Sequence, residues 1–185
     1  MAAGTTLGWA CVLAAFAALA CGSLVDARER RIPNAAVAVV ALAALAHMAL
    51  VASGLPGAAF GAYGMSSGDN PFASAAPALS VTSLGLLSGA LSPLNRLIWA
   101  AGLLLVLGGI EAGWRRLRKA HGMGAGDIKL ISALALWLGP FVIGALALAC
   151  VVGALVAVLR RQRSFAFGPY LSLAGGALLL ALLMM

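Results

Sequence analysis

Residues 122–163 read GMGAGDIKLISALALWLGPFVIGALALACVVGALVAVLRRQR, and how this stretch crosses a bilayer decides the fold. From Ile128 to Leu159 its only charged residue is Lys129. About 20 residues of helix, at roughly 1.5 Å per residue, cross about 30 Å of hydrocarbon, so 128–159 is too long for one upright crossing and short for two. Gly139-Pro140, or Gly144, offers a turn that divides it into spans 128–141 and 142–159. One long tilted helix is the competing reading. At the mouth of the run stands Asp127, a carboxylate that loses hydration at a bilayer edge unless a partner or a function offsets the loss.

The rest of the chain settles the choice. Hydrophobic residues make up 63% of its 185 positions and charged residues 9%, too little polar surface to cover a soluble globule. Further apolar runs occupy 5–25, 35–52, 94–112 and 165–185. With the amino terminus outside, the loops after spans one, three and five are cytoplasmic. They hold Arg28, Arg30 and Arg31; Arg115, Arg116, Arg118 and Lys119; and Arg160, Arg161 and Arg163. Lys129 lies at the cytoplasmic mouth of span four, leaving Arg96 as the external one among twelve basic residues. Merging spans four and five would move Arg160, Arg161 and Arg163 to the wrong side. The positive-inside rule therefore predicts an all-α, polytopic integral membrane protein in one domain over 1–185, with six transmembrane helices and both termini outside. Residues 54–93 form a long external loop, in which 79–91 suits an extra interfacial helix and Asp69 a turn.

A net charge of +7 would point to nucleic acid in a soluble domain. Here the basic residues sit in short loops between apolar runs, where they set topology, so the lipid bilayer is the partner and nucleic acid is not expected. Cys11, Cys21 and Cys150 all lie within apolar runs without a Cys-x-x-Cys spacing and read as fillers of small packing gaps. His47 and His121 are isolated, so neither a metal nor an organic cofactor is expected. Glu111 stands four residues before Arg115, an i,i+4 ion pair.

Asp26 ends the first apolar run and Asp127 opens the fourth, which puts both carboxylates at one membrane face. Two carboxylates within hydrogen-bonding reach cannot both ionise easily, so one keeps a proton and the pair can act as acid and base on a single water. Gly122, Gly124 and Gly126 leave the backbone before Asp127 bare and open to positive φ, so that a substrate strand or another helix can approach. The bland alternative makes Asp127 the N-cap of span four and the glycines a loop. A helix macrodipole would favour the charged form of Asp127 at a helix start and disfavour that of Asp26 at a helix end, making Asp127 the resting base and Asp26 the resting acid.

Three segments occur together: Asp26-Ala27-Arg28-Glu29-Arg30-Arg31-Ile32-Pro33-Asn34, then Gly122 to Leu130, then Phe167-Gly168-Pro169-Tyr170-Leu171. Jointly and in this order they resemble the motifs of prepilin peptidases, most closely the short members that serve tight-adherence (Flp-type) pili. The resemblance implies an aspartic endopeptidase of the bacterial inner membrane that cleaves the leader of a prepilin or pseudopilin on the cytoplasmic side. Asp26 and Asp127 match the two catalytic aspartates. Longer members carry a cytoplasmic insert with paired Cys-x-x-Cys motifs and also N-methylate the product; without those cysteines, methyl transfer is not expected here.

Gly124, Gly126, Lys129, Pro33, Asn34, Gly168 and Pro169 are candidates for shaping the site or binding substrate. Pro33-Asn34 reads as the start of span two, with substrate contact as a second role. Gly168-Pro169 fits either a kink beside the site or a helix start. Lys129 could act on Asp127 or snorkel to headgroups. A different class of function, a small proton-coupled transporter using the two aspartates as a relay, would place them nearer the bilayer midplane.

Overall fold

The computed structural model of the chain describes residues 2–29, 31–53, 92–118, 124–159, 161 and 167–184. Among these residues there is no strand. The helices are α1 (Ala2–Glu29), α2 (Asn34–Ala52), α3 (Pro93–Arg118), α4 (Ala125–Leu138), α5 (Val142–Leu159) and α6 (Gly168–Met184), with a 3-10 turn at Gly139–Phe141 between α4 and α5. The helix expected near 79–91 and the turn at Asp69 lie outside the described residues.

Runs of Ala and Leu, both strong helix formers, dominate each element. Helices satisfy their backbone groups internally, as a bilayer requires, and Ser23 returns its hydroxyl to Ala20 O at 2.8 Å. Thr6–Glu29, Asn34–Ala52, Pro93–Leu117 and Ala125–Leu159 are each long and apolar enough to cross a membrane, and Gly168–Leu182 is a shorter apolar helix. Large side chains face outward, Leu105 at 75% and Val158 at 74% exposure among them. A surface of this kind belongs against lipid.

The segment Ala125–Leu159 is broken where the sequence marks it. Gly139 takes φ 55° and ψ −132°, a conformation open to glycine but strained for other residues, and Pro140 follows in the 3-10 turn. Helix directions show that the chain reverses there. Asn34 of α2 meets Lys129 of α4, and Val40 meets Trp137, so these two helices run the same way. Gly175 of α6 packs on Leu134 of α4, parallel again, since α6 begins beside the amino end of α4. Asp26 meets Gly168 while Phe16 meets Gly176, so α1 runs against α6. With α4 and α6 parallel, α5 must carry the chain back. This overturns the single-helix alternative for 128–159.

Helix α4 sits at the centre, packed on α2, α3 and α6. Its residues Leu130 to Leu138 are all buried. Trp137 anchors it by donating Nε1–H to Val40 O at 3.1 Å. His47 stacks at a tilt on Trp137, ring centroids 5.2 Å apart, and Arg96 lies within electrostatic reach of it. Arg96, the basic residue expected on the outer side at the start of span three, is buried in the first turn of α3. Cys21 and Cys150 face outward, so they fill no packing gaps, and Cys11 is half-buried.

Candidate active site

Four helix ends meet around Asp26: the carboxyl end of α1 and the amino ends of α2, α4 and α6. Asp26 lies in the last turn of α1, which continues to Glu29, beyond the end expected at Val25. Its side chain is buried, 5% exposed. Gly168, first residue of α6, donates its N–H to Asp26 Oδ2 at 3.1 Å. No side chain fits there, because a Cβ on Gly168 would stand 2.6 Å from that oxygen.

Asp127 is the third residue of α4 and not its N-cap. Gly124 is the cap residue, with φ −65° and ψ 136°. The Asp127 carboxylate folds back to accept the Gly124 N–H, as the acid of a capping box does. Asp127 is half-buried and feels the charge of Asp26 directly. The expected contrast between a carboxylate at a helix start and one at a helix end is opposed by a second helix, because Asp26, in the last turn of α1, also accepts from the first N–H of α6.

The glycines act by leaving room and not by positive φ: Gly139 is the positive-φ glycine among the described residues. A Cβ on Gly126 would lie 3.0 Å from Ile32 Cβ and 3.5 Å from Ile32 O, so the group that approaches Gly126 is the α1–α2 connection of the same chain. Gly122 lies outside the described residues.

Pro33 is the N-cap of α2, at φ −68° and ψ 130°, its carbonyl accepting from Ala36 N at 3.0 Å. Asn34 begins the helix, and its Oδ1 accepts from Lys129 Nζ at 3.2 Å. Lys129 is thus bonded across to α2. It also lines an open cleft of about 270 Å³ with Leu104, Glu111 and Arg115. Glu111, buried in α3, accepts from Arg115 Nε at 2.7 Å, the pair expected from their spacing. Pro169 occupies the first turn of α6, where its missing N–H costs nothing; α6 starts at Gly168, so no kink is formed there.

Ile32 is the site residue that the sequence did not assign. It is half-buried, with its Cβ against Gly126 and its Cδ1 3.1 Å from where a Cβ on Gly168 would stand. The available signal was its standing as the one branched aliphatic residue among the charges and turn formers of 26–34.

A family model described as the Type IV leader peptidase family matches residues 11–158. Over 66 residues the chain is 42% identical to the prepilin leader peptidase/N-methyltransferase of Neisseria gonorrhoeae, a match covering 34% of this chain and 23% of that protein. The alignment thus spans less than a quarter of that relative. No solved structure matches the chain.

Proposed function

We propose that this chain, which belongs to the type IV leader peptidase family, is a membrane aspartic endopeptidase that removes the leader from a prepilin or pseudopilin. The observation that carries the proposal is the convergence of the helix ends that bear the two acids: Asp26, buried and bonded to the first N–H of α6, and Asp127, half-buried at the amino end of α4 within electrostatic reach of Asp26.

In this mechanism one carboxylate takes a proton from water as its oxygen attacks the scissile carbonyl carbon, while the other, protonated, donates to the carbonyl oxygen. The tetrahedral intermediate then collapses, the C–N bond breaks, and the amine leaves with a proton from the pair. The glycines at 126 and 168 leave room beside Ile32 and Asp26. Between α1 and α6 runs an apolar groove of about 380 Å³, lined by Phe16, Leu19, Ser23, Ser172, Gly176 and Leu180. Its near end lies one turn from Asp26 and Gly168, and small residues along it allow a helix to approach closely. A substrate helix lying there would bring its membrane-edge peptide bond to the aspartates.

The proposal places these helix ends at the cytoplasmic face of the inner membrane, as the basic loops require. It covers proteolysis alone. A transport relay fits less well, because both carboxylates sit at helix ends and not midway along spans. Co-expression with a candidate prepilin tests it. The substrate should shift to the mobility of the mature form with the wild-type chain and stay unprocessed without it. An unprocessed substrate beside correctly inserted enzyme, over several prepilins, would contradict the proposal.

A further inference from the structure

We propose that Ile32 is a positioning residue, a wedge between Gly126 and Gly168 that sets the separation of the Asp26 and Asp127 carboxyls, locked in place by the Asn34–Lys129 hydrogen bond. The wedge rests on the proteolytic role given above.

The two aspartates ride on helices that are not principal packing partners: α1 packs on α2 and α6, whereas α4 packs on α2, α3 and α6. With α2 and α6 as shared supports, the fine separation of the two carboxyls falls to what lies between the helix ends. Ile32 occupies that place. Its Cβ meets the backbone of the residue before Asp127, and its Cδ1 meets the backbone that donates to Asp26.

The sequence around Ile32 fixes its position. Pro33 confines the preceding residue to extended backbone, which keeps the connection from 31 to 33 out of helix and leaves Ile32 against Gly126 and Gly168. Asn34 Oδ1 then accepts from Lys129 Nζ, two residues beyond Asp127, joining the far side of the connection to α4. Gly126 and Gly168 are required for complementary reasons. A Cβ at 126 would press on Ile32 Cβ, and a Cβ at 168 would strike Asp26 itself as well as Ile32.

Two measurements on the full chain in membranes test this. In a background with Cys11, Cys21 and Cys150 replaced by Ser, the Asp26→Cys/Asp127→Cys pair is oxidised and the rate of disulfide formation is read with Ile32, Ile32→Ala and Ile32→Leu, using only alkali-resistant, membrane-inserted protein. Removing the wedge should change that rate by about fivefold or more, since a disulfide tolerates little variation in Cβ separation, and Leu should restore it. In the enzyme with both aspartates intact, Ile32→Ala should lower kcat about tenfold or more, keep KM within about twofold and shift the limbs of the pH–rate profile, with Leu again restoring both. Unchanged cross-linking and an unchanged pH profile would overturn the wedge and leave the protease role standing. A raised KM at constant kcat would overturn it also, making Ile32 a substrate contact. If the wild-type chain cleaves no prepilin, the protease role fails, while the cross-linking rates still decide the wedge.

Discussion

Gly168 holds the Asp26 carboxylate by its backbone N–H at 3.1 Å, across 142 positions of sequence. An acid at the carboxyl end of α1 is thereby served by the amino end of α6, where unpaired N–H groups favour an anion. The two helices that make this contact also wall the groove leading to it.

Gly168→Ala should therefore abolish processing, by about a hundredfold or more, since displacing a catalytic group by an ångström has effects of that size. The added Cβ would stand 2.6 Å from Asp26 Oδ2. Gly102→Ala is the control: nothing lies within 4 Å of its Cβ position, so activity should be unchanged. Prepilin turnover by the two variants, at equal amounts of membrane-inserted protein, measures the contrast.

Gly126→Val should impair processing more than insertion, because its Cβ would meet Ile32 Cβ at 3.0 Å and displace the α1–α2 connection. Comparing turnover with the alkali-resistant membrane fraction checks this. Normal turnover would show that the connection yields freely.

Trp137→Phe should act on stability and leave the chemistry alone. It removes the hydrogen bond to Val40 O and alters the stacking surface for His47, far along α4 from Asp127. A loss of about 1–2 kcal/mol is expected for the bond, or about 2–8 °C in Tm in detergent, with kcat retained below the transition.

Reporter fusions should place Arg31 and Arg161 in the cytoplasm and Ser53 and the carboxyl terminus outside. The parallel run of α2, α4 and α6 against α1 requires this alternation once the basic loops fix the inner side. A cytoplasmic carboxyl terminus would contradict it.

Much of this architecture is legible in the residues. Apolar runs separated by basic loops mark the helices, and Gly139-Pro140 marks the reversal, because only glycine takes that φ without strain. Helix ends are less legible. Helix α1 continues through Asp26 to Glu29, since Ala27, Arg28 and Glu29 are good helix formers that hydropathy does not count. Helix α4 starts at Ala125, ahead of the apolar run, with the Asp127 carboxylate folded back toward Gly124, which no hydropathy pattern records. Asp26 and Asp127 stand out in sequence because acids are costly there. The Gly168 contact, the Ile32 wedge and the buried Arg96 are long-range packing, invisible until the helices are assembled.

The most direct measurement is a double-mutant cycle on prepilin cleavage with Asp26→Asn, Asp127→Asn and the two combined, at matched levels of inserted protein. If the carboxyls work as one acid–base unit, each single change removes nearly all activity and the double variant loses no more than either alone. Near wild-type cleavage by either single variant, or losses that add in the double, would contradict the pair.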